Sequence, residues 1–368
     1  MKKEYLCLVF ILNFILLACN SKLETSEFVK IHPDKFIEKE LVLSDIAESL
    51  EYVELDTTFL VRGVWDIEIT EEYIFIATRD ELLQYERNGK FLRTIGSKGQ
   101  GPEEFSNCMN IALNTENEKV YVRDGNYIKA YSFDGEYLGK IEIPLEGMVD
   151  INYTNGNIYG ISMISFTREQ LPFLWMKVNE QTYEVIQIKD NTDIKFETDE
   201  MTLRCNYTCR SIDGTILYYN HFNDTIFRLG YEKDKVAYLF GQGDFRLSPQ
   251  NVKNAKYYME LCNIWDSERY LFLVYRKDTK KQLCIYDKSK GVFYNDGDFA
   301  LENDLDGILP FKLHSTYFIG KDCYVAQIIS AENMKEVLSK SNVIQYKTWG
   351  EKMRFDDNDI LVLAKLKK

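Results

Sequence analysis

The sequence is poor in the residues that most catalytic and metal-binding motifs require. It contains only three histidines, His32, His221 and His314, and neither a G-x-S-x-G nor an H-E-x-x-H motif. These absences leave no recognisable serine-hydrolase or zinc-protease site. No C-x-x-C pair occurs, and Cys205 and Cys209, the closest pair, have no histidine near them in sequence. We therefore expect no zinc site, no other metal and no cofactor.

Proline and glycine are also scarce, and positive charge is in the minority. The 45 Lys and Arg residues are outnumbered by 58 Asp and Glu, and the net charge of −13 argues against a nucleic-acid partner. With 6 Pro and 20 Gly in 368 residues, the chain is neither low-complexity nor collagen-like. Long stretches in which Tyr, Ile, Val and Phe alternate with polar residues predict β-strands.

The N-terminus has the layout of a secretory signal. Two lysines precede an apolar run, Leu6 to Ala18, which would reach about 20 Å as a helix and is too short for a permanent membrane span. The run ends in Leu16-Leu17-Ala18-Cys19, which resembles a bacterial lipobox and implies cleavage before Cys19 and lipidation of it. Asn20, in place of Asp, points to an outer-membrane lipoprotein. The alternative is a plain signal peptide with a chance cysteine.

Six cysteines remain outside the signal and the lipidation position. We expect most of them to be small buried apolar side chains, although an oxidising envelope would allow one disulfide. They are Cys108, Cys205, Cys209, Cys262, Cys284 and Cys323.

An internal repeat predicts the architecture. The segment from Ile74 to Ile95 aligns without gaps on the segment from Val120 to Ile141, at an offset of 46 residues. Each copy reads as three strands, with a hairpin turn at Asn88-Gly89 or Asp134-Gly135, and an inner strand precedes each copy. A four-stranded antiparallel unit that recurs at this spacing is a propeller blade. Weaker copies follow at 158–188, 215–239, 270–293 and 317–327.

The ring needs its two ends to share a blade, because an open ring would leave bare strand edges. The strand-like pieces Glu51 to Asp56 and Ile360 to Leu366 are suited to this role.

We predict a signal peptide over 1–18 and a tether over 19–48. Residues 49–368 then form an all-β, six-bladed β-propeller of four-stranded antiparallel blades, closed by its N- and C-terminal strands. Seven blades is the alternative.

The stretch TIGSKGQGPEEF, Thr94 to Phe105, superficially resembles a phosphate-binding loop. No long helical period follows it, and a shorter copy, Leu239 to Phe245, occurs at the end of the fourth blade. Recurrence at blade ends favours a connector whose glycines supply positive φ.

The segment Glu302 to Gly307 resembles the start of a calcium-binding loop. Leu313 occupies the position where such a loop has its bidentate carboxylate, so we expect a solvated acidic loop.

These features together resemble a known family. The connector IGSKGQGPEEF, the segment NDTIFRL from Asn223 to Leu229, the lipobox and the closing DNDILVLAKLK are similar to the six-bladed, NHL-like β-propeller lipoproteins of anaerobic gut bacteria. The resemblance implies the fold and a cell-envelope location, and it implies little about activity.

One charge pattern suggests a ligand site. Loops between the second and third strands of the blades, together with the connectors, should gather on one face around the central opening. Their basic residues could recognise an anionic or polyhydroxylated ligand, although ordinary pairing with neighbouring Asp is the alternative. The candidate residues are Arg79, Lys98, Arg123, Arg168, His221 and Arg276.

Two functions follow from this pattern. The first is a non-enzymatic binding or scaffold module for a glycan, a peptide or a partner protein, attached to the membrane by its lipid. The second is a metal-assisted hydrolase or lyase that uses carboxylates at the pore. The lack of a recognisable base or ligand cluster favours the first.

Overall fold

The chain forms a closed ring of six small β-sheets, as predicted. The computed structural model describes residues 28–144, 146–166, 169–192, 204–220, 222–223, 225–240, 259–277 and 280–368. Cys19 and the rest of the signal lie outside this part. Within the described residues, no helix is both long and apolar enough to cross a membrane.

Residues Lys30 to Ile46, called the N-terminal belt below, run along the outside of the ring. The belt contains β1 (Lys30–Ile31), a 3-10 turn (Pro33–Lys35), β2 (Phe36–Glu38) and α1 (Leu43–Ile46), and β3 (Ala47–Glu54) follows it. The first strand pairs in parallel with the outer strand of blade 4, and the second pairs in parallel with the outer strand of blade 5. The sequence analysis placed this segment in the tether and did not predict these pairings.

The first two blades are regular antiparallel sheets. Blade 1 consists of β4 (Val64–Ile69), β5 (Tyr73–Thr78), β6 (Leu82–Glu86) and β7 (Phe91–Thr94). Blade 2 consists of β8 (Ile111–Asn114), β9 (Lys119–Asp124), β10 (Tyr127–Ser132) and β11 (Tyr137–Glu142). The turn glycines Gly89 and Gly135 have φ of +91° and +92°, as the repeat predicts for the outer hairpin turn.

Blades 3 and 4 are joined by one long strand. Its far end leaves blade 3 and pairs with the inner strand of blade 4, at Met163↔Cys205. Blade 3 contains β12 (Met148–Thr154), β13 (Asn157–Phe166), β14 (Glu169–Gln170), β15 (Phe173–Asn179) and β16 (Val185–Asp190). Blade 4 contains β17 (Arg204–Arg210), β18 (Ile216–Asn220), β19 (Thr225–Leu229) and β20 (Lys235–Phe240).

Blade 6 closes the ring with strands from both ends of the chain. Blade 5 contains β21 (Met259–Asp266), β22 (Tyr270–Lys277), β23 (Lys280–Asp287) and β24 (Val292–Asn295), and a short ribbon follows, β25 (Ala300–Leu301) and β26 (Phe311–Lys312). Blade 6 has the order β27 (Ser315–Ile319), β28 (Asp322–Ile329), β29 (Ile360–Leu366), β3. The register runs from Ile360↔Glu54 to Leu366↔Ala47, which confirms the predicted closure.

Two helices interrupt blade 6, and the sequence analysis did not predict them. They are α2 (Ala331–Ser339) and α3 (Ile344–Lys352), and they lie between β28 and β29. Ser330 caps the first helix by accepting a hydrogen bond from the Asn333 backbone at 3.3 Å. Met334 and Leu338 of that helix are buried against the core of blades 5 and 6.

The hydrophobic core lies between neighbouring blades and not within one of them. Phe75, Phe105 and Phe133 pack together between blades 1 and 2. The middle strands are apolar on both faces because each blade is covered on both sides, which explains runs such as YIFIA in β5. This arrangement leaves the inner strands facing the axis, where polar residues can meet water.

Candidate functional site

The glycine-rich loop at the end of blade 1 connects this blade to blade 2. Its backbone contacts a carboxylate of the same loop, that of Glu104. The Gly101 backbone N–H donates to Glu104 Oε2 at 2.7 Å, and a Cβ on Gly99 would overlap the same carboxylate. Of the three loop glycines only Gly96 has a positive φ, of +62°, so the prediction that all of them supply one was wrong. Gly99 and Gly101 make room for Glu104. The second copy of the motif, from residue 241, lies outside the described residues.

The predicted basic residues that are described lie on the face that carries the blade connectors, called the connector face below. The backbone N–H of Cys108, in a connector, donates to the carbonyl of Arg79 at 3.0 Å, which places both loops on this face. Arg123 and Arg276 lie at or next to the ends of the corresponding second strands, β9 and β22. Arg168 and His221 lie outside the described residues.

Most of these basic groups already have acceptors within the protein. Lys98 contacts Asp80 at 2.5 Å, and Arg276 contacts Glu260 of its own blade at 2.7 Å. Arg123 donates to Asn110 Oδ1 at 2.9 Å and to the Met148 carbonyl at 3.2 Å. Arg79 is exposed. Arg123 therefore differs from the others, because its side chain reaches the inner strand of the next blade.

Beneath Arg123, the inner strands bring acidic side chains to the axis. Asp66 and Asp150 occupy matching positions in β4 and β12, each directly after a break in the strand register. A bulge of this kind bends a strand and can redirect a side chain. Each carboxylate also accepts a hydrogen bond from the next backbone N–H, Ile67 or Ile151, at 2.9 Å. Asn263 in β21 follows a third such break.

Five charged residues form what we call the axial cluster: Asp66, Glu68, Arg123, Asp150 and Arg210. Glu68 Oε1 lies 3.1 Å from Arg210 Nη2 of β17, and these side chains are 16% and 30% exposed. Asp66 Oδ2 accepts from the Ile111 backbone at 2.9 Å. Asp150 Oδ2 accepts from Thr208 Oγ1 at 2.5 Å. The cluster thus joins the inner strands of four blades.

Burial dominates the ionisation of this cluster. It raises the pKa of Asp66 well above the usual range, with further repulsion from Glu68, and it raises the pKa values of Glu68 and Asp150. Burial also lowers the pKa of Arg123, although Asp150 and Asp66 attract its charge. Three carboxyls are thus crowded around two guanidinium groups.

Replacing Asp66 with Asn should stabilise the protein at neutral pH. The pKa of Asp66 is raised in the folded state, so folding favours the protonated form, and that contribution is lost as the pH rises through the folded pKa. The amide, like the protonated acid, carries no charge, although its single oxygen can keep only one of the two backbone hydrogen bonds that Asp66 accepts. Each unit of raised pKa corresponds to about 1.4 kcal/mol, so we expect a gain of that order at pH 7 in chemical denaturation. The gain should vanish below about pH 4; an equal gain at both pH values would contradict this explanation.

A cavity of about 280 Å³ opens at the other end of the axis, opposite the connector face. Five blades contribute to its walls. The lining residues lie mainly at the C-terminal ends of the inner strands and in the turns that follow them. Glu68 and Arg210 form its floor, and Tyr317 of β27 is buried beside them. Arg210 Nε is buried without a hydrogen-bond partner among the described residues. The other polar lining residues include Asn114, Thr115, Glu116, Tyr153 and Asn155.

Several acidic residues of the described part of the chain are engaged in other contacts. No group of three or more His, Cys, Asp or Glu residues is arranged there to hold an ion. In the calcium-like segment, Asp304 accepts from Ser44 and Asp306 accepts from Tyr52, so these carboxylates hold other parts of the protein. The thiols of Cys108, Cys209, Cys284 and Cys323 are free and buried, as expected.

The sequence analysis missed four of the five residues of the axial cluster. A usable signal was present, because an acidic or amide residue precedes isoleucine at the same place in several inner strands. These pairs are Asp66-Ile67, Asn110-Ile111, Asp150-Ile151 and Asn263-Ile264. Only Arg123 had been identified; it was predicted to lie in the loop between the second and third strands, whereas it lies within β9 near the end of that strand.

Comparisons with known proteins identify the family, and a structure from Bacteroides fragilis has a similar fold. The family model described as "Domain of unknown function (DUF4934)" matches residues 28–365. A structure from Bacteroides fragilis NCTC 9343, described as an exported protein, has a TM-score of 0.68 at 18% identity over 91% of this chain and 99% of its own. The extracellular domain of a one-component system from B. thetaiotaomicron has a TM-score of 0.43 at 12% identity, over 76% of this chain and 32% of its own. No curated protein matches the sequence.

Proposed function

Since this chain belongs to the DUF4934 family, whose description assigns no activity, we propose its function from the site: it is a non-enzymatic binding or scaffold module of the cell envelope that receives a ligand at the axial cavity. The observation that carries the proposal is the cavity itself. Five blades contribute to it, and it presents the partly exposed Glu68 and Arg210 side by side.

The chemistry of the cavity favours a glycan over the other ligand classes. Carboxylate, amide and guanidinium groups supply donors and acceptors within one small space, and the half-buried Tyr153 adds aromatic surface. A sugar residue needs such mixed hydrogen bonding, together with an apolar face. An anionic ligand would meet Glu68 and Glu116 and be repelled. A peptide or a partner protein remains an outcome of the test.

The test compares the two ends of the axis with matched arginine variants. We expect Arg210→Ala to weaken glycan binding at least tenfold in a glycan-array and calorimetry screen, because it removes the cavity's guanidinium. Arg276→Ala on the connector face should bind like the parent. The reverse result would move the site to the predicted basic residues Arg79, Lys98, Arg123 and Arg276. No binding to any glycan, by a folded protein, would overturn the glycan assignment.

The alternative, a metal-assisted hydrolase or lyase of the NHL-like propeller type, predicts a different result. It requires an ion held by the carboxylates near the axis. Elemental analysis of the purified protein separates the two functions, because stoichiometric calcium or zinc retained through purification would support the enzyme and contradict our proposal.

The envelope location rests on the lipobox and on the exported B. fragilis relative. We propose that Cys19 carries the lipid and that the protein is an outer-membrane lipoprotein of the NHL-like family, exposed to the periplasm or the cell surface. Replacing Cys19 with Ala should release most of the protein from the membrane fraction, since several acyl chains hold a protein stably and no other anchor is proposed. Unchanged partitioning of the variant with outer membranes, measured by fractionation and immunoblot, would show that the anchor lies elsewhere.

A further inference from the structure

A second concave surface lies on the outside of blade 6, away from the axis. It is a groove of about 450 Å³ between β3, α3 and the loop that leads into blade 6. We call it the lateral groove, and its main lining residues are Glu48, Leu50, Tyr52, Asp306, Tyr346 and Trp349. The proposed glycan site does not share any of these residues, so the lateral groove is a separate site.

The aromatic rings of the lateral groove form adjoining walls. The centroids of Tyr52 and Trp349 are 5.3 Å apart and their planes meet at 79°, so the two rings stand nearly perpendicular. Tyr346 lies three residues before Trp349 on α3, on the same side of the helix. All three side chains are partly exposed. Each of the three rings therefore presents part of its surface to the groove.

Hydrogen bonds fix two of these rings in place. The Tyr52 hydroxyl donates to Asp306 Oδ2 at 2.6 Å, and Asp306 Oδ1 accepts from Asn303 at 2.7 Å. The Trp349 indole N–H donates to Glu54 Oε1 at 2.9 Å. Burial raises the pKa of Tyr52, which keeps its hydroxyl protonated as a donor. The polar edges of the rings are thus occupied, and their faces are the surfaces left to bind.

The charge of the groove favours a positively charged ligand. Its described lining includes the carboxylates of Glu48 and Asp306 and no Lys, Arg or His. Carboxylates beside fixed ring faces attract a cation, and ring faces favour one whose charge is weakly hydrated. We propose that the lateral groove binds an organic cation, namely an alkylated ammonium group held against Tyr52 and Trp349.

Two sources share this chemistry: a free quaternary amine, and the methylated ammonium of a lysine side chain in a peptide. Choline serves as the first probe and a short peptide containing trimethyl-lysine as the second. The uncharged control is 3,3-dimethylbutanol, which has the shape of choline without its charge. A preference for choline indicates a small-molecule site, and a preference for the peptide indicates a protein partner; either one supports a cation site.

The experiment is isothermal titration of the purified full-length protein with each probe. We expect saturable binding of choline or the peptide, and no measurable binding of 3,3-dimethylbutanol. Trp349→Leu should weaken binding at least tenfold, whereas Trp65→Leu, at a tryptophan 53% exposed on blade 1, should leave it unchanged. Glu48→Gln, at an exposed position outside the core, should weaken it severalfold at low salt.

Three results would overturn the proposal. Equal binding of the charged and uncharged probes would show that the groove is only apolar. Binding that survives in a folded Trp349→Leu protein would place the cation elsewhere. No saturable response to either cation, from a parent protein with an intact melting transition, would remove the site altogether.

Discussion

Deletion of residues 360–368 should unfold the whole ring and not only blade 6. The deletion removes β29, the strand that joins β28 to β3 and so closes the circle. Six of its seven residues are buried, among them Leu361, Val362 and Leu363. Burying one such side chain contributes about 1.5–3 kcal/mol, and a domain is stable by only about 5–15 kcal/mol. The loss of one strand is therefore comparable with the stability of the entire protein.

A second deletion serves as the control for position. Removal of residues 29–38 takes away β1 and β2, which pair at the outer edges of blades 4 and 5 without closing the ring. This variant should keep a cooperative melting transition at a lower temperature, measured by circular dichroism. The 360–368 deletion should show no such transition and should expose apolar surface to a hydrophobic dye. A truncated protein that melts like its parent would contradict the closure.

Gly89→Ala should be much more destabilising than the same substitution at Gly135. The two glycines occupy equivalent turns of blades 1 and 2, with φ of +91° and +92°. Each faces the end of the outer strand of the preceding blade. A Cβ on Gly135 would lie 3.9 Å from the Thr94 carbonyl oxygen, whereas a Cβ on Gly89 would overlap the Glu54 carbonyl oxygen at the end of β3. The backbone strain is therefore shared, and the clash is specific to Gly89.

The two variants should differ in their free energy of unfolding, and the difference measures how closely blades 6 and 1 are packed at this turn. A left-handed conformation costs a non-glycine residue about 1–2 kcal/mol, which is the expected loss for Gly135→Ala. Gly89→Ala should lose about 3 kcal/mol or more, since backbone atoms must also move apart. The Asp56 N–H, which donates to the Gly89 carbonyl at 2.8 Å, would be displaced as well. Urea denaturation gives both losses of unfolding free energy. Equal losses would show that the backbone at Glu54 does not pack closely against Gly89.

The fold was predictable because it repeats. Two nearly regular blades revealed the unit, and the hairpin glycines Gly89 and Gly135 marked its turns. The closure of the ring could be predicted because a strand-like segment lies at each end of the propeller sequence and a closed ring needs both in one blade. The belt strands β1 and β2 were not predictable, because pairs of only two or three residues are too short for a periodic pattern. The helices α2 and α3 are nine residues each, set within a chain that otherwise indicates strands.

The candidate site was less predictable than the fold, for a geometric reason. Strand alternation assigns side chains to faces only while the register is continuous, and bulges interrupt it before Asp66 and Asp150. The pairing of Glu68 with Arg210 joins strands more than a hundred residues apart. Arg123 could be identified because its sequence position next to a predicted loop drew attention to it, although it lies within β9 near the end of that strand. Its reach towards Asp150 depends on how neighbouring blades pack.

The closure of blade 6 also sets the order in which the molecule can form. β3 is synthesised before any blade is complete, and its partner β29 is made about 300 residues later. Throughout that interval β3 lacks its strand partner, and Val53 can pack only against the blade 1 part of its hydrophobic cluster, because Leu361 and Leu363 of β29 are still missing. The growing chain thus passes through a period in which an unpaired strand can associate with other chains. A slow final step, ring closure, should therefore separate the blades already formed from the native protein.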